Sequence, residues 1–139
     1  MLSPLDCVKA VVDCDNRRDG AGYRKLVHDD YVSLVHGKES TVGAEAEVAA
    51  LARWWQAASD VHLEPIAMVE SGGLVTLRYT LEGTNDGEFF GRPATGRRFK
   101  LENCTLLEVV AGKVRRAYRY SDTMGLLGQL GLLPGGPTT

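Results

Sequence analysis

The chain has 139 residues, enough for one domain with a proper core. A hydrophobic fraction of 44% and a charged fraction of 24% are those of a soluble globular protein. The formal net charge of -2 argues against a global attraction to nucleic acid or to an anionic membrane, and no apolar run approaches membrane-spanning length.

Residues 4 to 17 are predicted as a first helix. Leu5, Val8 and Val12 recur at three- and four-residue steps with Val11 beside them, behind the cap and first-turn pair Ser3-Pro4. Asp19-Gly20-Ala21-Gly22 breaks that pattern, and Tyr23 to Val27 suits a short second helix. Tyr31 to Val35 is a short strand, ended by His36-Gly37-Lys38-Glu39. A third helix is predicted from Gly43 to Ala58, with Val48, Leu51, Ala52 and Trp55 on its apolar face and Asp60 closing the segment. Trp54 and Trp55 are neighbours and cannot share a helix face, so one belongs in the core and the other is free to line a cavity.

Strands dominate from there. Val61 to Val69 and Leu74 to Leu81 flank the turn Ser71-Gly72-Gly73. Gly83 to Gly87 is a turn or bulge, and Phe89 to Gly96 a glycine-punctuated connection. Arg98 to Val110 is a long strand, joined through Ala111-Gly112-Lys113 to its hairpin partner, Val114 to Ser121. A short apolar helical run follows from Met124. Residues 1–133 are expected to form a single domain and 134–139 a disordered tail. Helices first and antiparallel strands after them give the α+β class. The expected form is a strongly curved, mainly antiparallel sheet with three N-terminal helices packed on it. A cone of that kind has one open end, a natural pocket for a small hydrophobic molecule.

Several chemistries find little support. His28, His36 and His62 show no ligand spacing, so no metal is expected. There is no Gly-x-Ser-x-Gly and no dinucleotide or phosphate loop. Cys7, Cys14 and Cys104 are odd in number and lack a Cys-x-x-Cys pair; on one helix Cys7 and Cys14 stand about 10 Å apart, too far to bridge. Free thiols and an N-terminus without signal-peptide character point to the cytoplasm.

Acid/base chemistry is what the residues do support. Asp122 ends a strand and is followed by apolar residues, the setting of a general acid/base whose pKa is raised by partial burial. The same position also suits a helix cap. If Gly112 and Lys113 are the turn residues, Asn103 lies opposite Asp122 and Thr105 opposite Tyr120. Tyr118, Tyr120 and Asp122 then share a pocket face with Asn103, Thr105 and Leu107. A three-residue turn puts Glu102 opposite Asp122 instead. Tyr118 and Tyr120 serve as hydrogen-bond donors to a substrate oxygen or as cross-strand packing. Arg78, in an apolar strand, pairs with a carboxylate such as Asp122, binds an anionic substrate, or points to solvent. His36, at a strand end, is a second base or a loop histidine.

The chain resembles the SnoaL-like polyketide cyclases of the nuclear transport factor 2-like superfamily. The resemblance rests on Gly83-Thr84-Asn85-Asp86-Gly87, on Gly91-Arg92-Pro93-Ala94-Thr95-Gly96-Arg97 and on Gly112-Lys113-Val114, then on Asp122 and Leu126-Leu127-Gly128-Gln129-Leu130-Gly131. It implies a cone-shaped α+β barrel, a homodimer or homotetramer, no metal or organic cofactor, and a polyketide-derived substrate of antibiotic biosynthesis. In the cyclases an aspartate at the end of the last long strand is the general acid/base of an intramolecular aldol ring closure, and Asp122 takes that position. Many relatives carry His where this chain has Asn85. The fold also hosts epoxide hydrolases, cofactor-free oxygenases and non-catalytic binding modules. Hydrolysis would require a second carboxylate near Asp122, for which Glu102 is the candidate.

Overall fold

The computed structural model describes residues 1–133. The order is α1 (Pro4–Asn16), α2 (Gly20–Arg24), β1 (Val27–Val35), β2 (Lys38–Val42), α3 (Ala44–Ala57), β3 (His62–Ser71), β4 (Leu74–Thr84), β5 (Arg98–Val110), β6 (Lys113–Tyr120) and α4 (Thr123–Gln129). The strands form one six-stranded sheet in the order β2-β1-β6-β5-β4-β3. All neighbours are antiparallel except β1 and β6, which run parallel. This is the α+β arrangement the element order implies, with helices on one face of a mainly antiparallel sheet.

The helices follow their caps. Ser3 Oγ accepts from the Asp6 amide and Pro4 opens α1, while Cys7, Val8, Val11 and Val12 face the core. The second helix begins earlier than the glycines suggest. Asp19 caps it by accepting from the Gly22 amide, and the helix runs through Gly20-Ala21-Gly22. A Cβ on Gly22 would lie 2.3 Å from the Asp19 carboxylate and 3.0 Å from Cys14 Sγ, so the glycine serves a close approach and not a break.

Strand β1 begins at Val27, and β2 was not foreseen. The segment His36-Gly37 ends one strand only to start another. With φ of 49° and 81° it forms a tight turn between the pair Val35 and Lys38. Gly72-Gly73 and Ala111-Gly112 repeat the device, both residues of each pair lying at positive φ. Such two-residue turns match the right-handed twist of the strands they join.

The β5–β6 register corrects the sequence expectation. The turn residues are Ala111 and Gly112, closing on Val110 and Lys113, and an irregularity lies between Glu108 and Val109. Val109 faces Val114 while Glu108 faces Arg116, so Arg115 is the extra residue. Together these pair Thr105 with Arg119 and Cys104 with Tyr120, not Thr105 with Tyr120. A one-residue slip moves every side chain to the other face. Ala117 and Arg119 therefore turn inward with Leu107 and Thr105, and Tyr118 and Tyr120 turn outward.

Two hydrophobic clusters fill the interior. One lies between α1, α2, α3 and the sheet and includes Val8, Tyr31, Leu51, Val75 and Val114. The other gathers Phe89, Phe99, Leu101, Leu126 and Leu130 around the ends of α3 and α4. No described helix is long and apolar enough to cross a membrane.

Candidate active site

A cavity of about 410 Å³ opens between the sheet, α3 and α4. One side is apolar, with Trp54, Phe89, Leu101 and Leu126. The other is polar, with Asp15, Ser33, Thr41, Glu47 and Arg119. Asn103 and Asp122 also line it. The α3 face brings Glu47, Leu51 and Trp54 to it, one helical turn apart. Trp54 packs its ring against Phe89 and Phe99 at centroid distances of 5.6 and 6.2 Å. Trp55 turns instead to α1 and donates from Nε1 to Asp15 at 3.0 Å.

Asp122 reaches the cavity by leaving the strand. β6 ends at Tyr120, so strict alternation no longer governs residue 122. Asp122 becomes the N-cap of α4, where its Oδ1 accepts from the Gly125 amide at 2.9 Å. Its own amide donates to Asn103 Oδ1 at 3.1 Å. Among the described residues Oδ2 accepts no hydrogen bond. The residue is thus both cap and cavity wall, and it is exposed where partial burial was expected. Gly125 sets this approach, because a Cβ there would lie 2.2 Å from Asp122 Oδ2. Asn103 is buried, and with Oδ1 occupied by the Asp122 amide its Nδ2 is unspent among the described residues.

The other expected site residues lie elsewhere. Tyr118 is half-buried and Tyr120 exposed on the outward face, the consequence of the register slip. Arg78 sits on that same exposed face and donates to Glu102 at 2.6 Å, so neither reaches Asp122. His36 is exposed in its turn, holding the Ser121 carbonyl through Nε2 at 3.2 Å and meeting the Tyr120 ring edge-on. Its link to the site is indirect, through the strand end that precedes Asp122.

Arg119 was missed. It is held by Ser33 Oγ on Nε at 3.0 Å, and its Nη2 donates to Tyr31 Oη at 3.2 Å and to Glu47 at 3.3 Å. Glu47 is 3% exposed. Burial raises the Tyr31 phenol to about 12, so it stays neutral. Burial also raises Asp15 above the ordinary carboxylate range, offset in part by the Trp55 hydrogen bond. Thr41 Oγ1, in the same wall, is buried without a hydrogen bond among the described residues. The available signal was Glu47, a charge one turn before Leu51 on the buried stripe of α3, which demanded a buried cation.

Asn85, within the glycine-rich stretch that carries the family resemblance, is fully engaged in structure. Its Nδ2 donates to the Ala57 and Gly87 carbonyls at 3.0 and 2.9 Å. Its Oδ1 accepts from the Thr95 amide and hydroxyl, both at 2.9 Å. It ties the 85–97 connection to the end of α3. Among the described residues no group of three or more His, Cys, Asp or Glu is placed to hold a metal ion.

Residues 5–130 match the family model of the SnoaL-like polyketide cyclases. The chain is 34% identical over 136 residues to the aklanonic acid methyl ester cyclase DnrD of Streptomyces peucetius, covering 94% of this chain and 92% of that one. It is 34% identical over 112 residues to the nogalonic acid methyl ester cyclase of Streptomyces nogalater, covering 77% and 81%. Among solved structures, AclR of Streptomyces galilaeus, described as a candidate hydroxylase, superposes with a TM-score of 0.84 at 28% identity, covering 96% of this chain and 84% of that one.

Proposed function

The chain belongs to the SnoaL-like polyketide cyclase family, and we propose that it closes a ring on a polyketide ester by intramolecular aldol addition with Asp122 as general acid/base. It is a cyclase of secondary metabolism. The substrate class is a fused-ring polyketide methyl ester, like those named for its relatives. The observation that carries the role of Asp122 is its carboxylate at the wall of a largely apolar cavity, one oxygen fixed on the Gly125 amide and the other unspent.

A carbon between a ketone and an ester carbonyl has an acidic C–H. In this reading Asp122 Oδ2 takes that proton and leaves an enolate. The enolate carbon attacks a second carbonyl of the same molecule, and one C–C bond forms. The new alkoxide then recovers the proton from Asp122. Nothing is lost, so the step is a net isomerisation. Asn103 Nδ2 donates to the oxygen on which charge develops, where a fixed donor is most effective. Trp54, Phe89 and Leu126 hold the aromatic rings and exclude water.

Epoxide hydrolysis through an Asp122–Glu102 pair is disfavoured, because Glu102 is exposed and bound to Arg78 on the outer face. The test is Asp122→Asn assayed with aklanonic acid methyl ester. Positioned acid/base catalysis is typically worth about 100- to 10,000-fold, and kcat should fall by that much with the fold intact. Turnover at the parental rate would remove Asp122 from this role.

A further inference from the structure

We infer that Phe90 is a substrate-binding residue of this cavity, an aromatic cover over the part of the fused ring system nearest the mouth, held in place at the expense of fold stability. The inference rests on the reading of the cavity as the cyclase's substrate site, and it adds a residue that the reaction scheme does not use.

The turn that presents Phe90 is tightly made. Phe89 and Arg92 exchange both backbone hydrogen bonds, at 2.9 and 3.0 Å, with Phe90 and Gly91 between them. Those two residues have φ of 48° and 78°. His36-Gly37 and Ala111-Gly112 are built alike, their first residues lying at 49° and 51°. Asn or Asp is favoured at such a first position. A large aromatic residue there is an outlier, and strain of this kind gathers at ligand clamps. The fold recovers little from it. Phe90 is 69% exposed, and its ring meets only Phe89 edge-on, at 4.6 Å, among the described residues.

The ring is placed where a ligand would use it. Phe90 lines the chamber that holds Asn103 and Asp122. It also lines a smaller cavity of about 160 Å³, and Arg53, Trp54 and Phe89 belong to both. Phe90 therefore stands on the partition between them. Trp54 meets Phe89 at 5.6 Å and Phe89 meets Phe90 at 4.6 Å, so the three rings form a row from the interior to the rim. A planar ring system lying along that row finds an aromatic partner at each step, and Phe90 is the last of them. Arg53 and Glu88 bring opposite charges to the smaller cavity, so what Phe90 selects is a flat apolar surface and not a charge. Contact with a second copy of the chain would account for an exposed phenylalanine, but not for one that lines both cavities.

The test compares Phe90→Asn, which suits the turn and removes the ring, with Phe90→Tyr, which keeps both the ring and the strain. The binding probe is the methyl ester of anthraquinone-2-carboxylic acid, a neutral planar molecule, followed by quenching of tryptophan fluorescence. Phe90→Asn should raise Tm by about 3 °C and weaken binding of the probe about three- to tenfold. With aklanonic acid methyl ester its KM should rise by the same factor while kcat stays within about twofold, because the ring is remote from the reacting carbons. Phe90→Tyr should match the parent in Tm and affinity. If Phe90→Asn binds the probe as tightly as the parent, or its Tm falls, the inference is overturned and the role of Asp122 is untouched. A change of oligomeric state in Phe90→Asn, with affinity unchanged, overturns it in favour of a contact between copies. If the probe shows the loss and aklanonic acid methyl ester is not turned over by the parent, the role of Phe90 stands and the proposed substrate falls.

Discussion

Asn85→Ala offers a sharp separation of structure from chemistry. The side chain spends all four of its hydrogen-bonding positions inside the protein and is 1% exposed. Truncation does not orphan every partner. The Ala57 carbonyl keeps the Gly87 amide at 3.1 Å, and Thr95 Oγ1 keeps the Arg97 amide at 3.3 Å. The Gly87 carbonyl and the Thr95 amide lose what Asn85 gave them. At about 1–3 kcal/mol for each buried unsatisfied group, and with some relief from entering water, the loss is about 3 kcal/mol. For a domain of this size that corresponds to a fall in Tm of about 10 °C, measured by circular dichroism. Asn85→Asp retains the acceptor towards Thr95 but sets a carboxylate oxygen against two carbonyls. In the cool, where Asn85→Ala is folded, kcat should stay within about fivefold of the parent. A Tm shift below about 3 °C would refute the structural reasoning, and a hundredfold loss of kcat in folded protein would return position 85 to the chemistry.

Other consequences can be checked with simpler measurements. Burial holds Asp15 above the ordinary carboxylate range, so its contribution to stability is full at low pH and is lost as pH rises through the raised value. Asp15→Asn, which preserves an acceptor for Trp55, should therefore raise Tm at pH 7 and give no gain at about pH 3, below the unfolded pKa of ~3.9. Burial pushes the Cys7 thiol up to about 11, and a thiol reagent at pH 8 should label it only after denaturant is added. Gly125→Ala should drive the Asp122 carboxylate from its cap, lowering kcat at least tenfold while removing about 1 kcal/mol of stability. An unchanged kcat there would show that the cap geometry does not matter to turnover.

Much of the fold was legible because its signals are local. The periodicity of Val8, Val11 and Val12 and the capping pair Ser3-Pro4 fixed α1, and the alternation of Leu74 to Leu81 fixed β4. Asp122 and Asn103 line the cavity, and so does Trp54, the tryptophan that the apolar stripe through Trp55 leaves free to do so. The failures share one cause. The β5–β6 register depends on a non-glycine residue, Ala111, at φ of 51° and on a bulge at Arg115, and neither leaves a mark in composition. That single slip exchanged the tyrosines for Arg119. Asp122 was placed in the cavity by a wrong premise, since it reaches the wall by departing from the alternation and not by obeying it. Strand β2 was lost because His36-Gly37 looks like an ending, and only the pairing shows it to be a reversal.

The parallel contact between β1 and β6 has a consequence for how the protein comes into being. β1 emerges early in synthesis, yet its inner neighbour is β6, some eighty residues later in the chain. Until Lys113–Tyr120 has left the ribosome, the β1–β2 hairpin can join nothing but itself and the helices. The stretch that closes the sheet also carries Arg119 and leads directly into Asp122. The cavity thus cannot form before that stretch is made, and closing so long a loop makes its completion a slow step of folding. A chain cut before Lys113 would keep α1 to α3 and the other five strands but lack Arg119, Asp122 and Leu126, and with them one wall of the binding chamber.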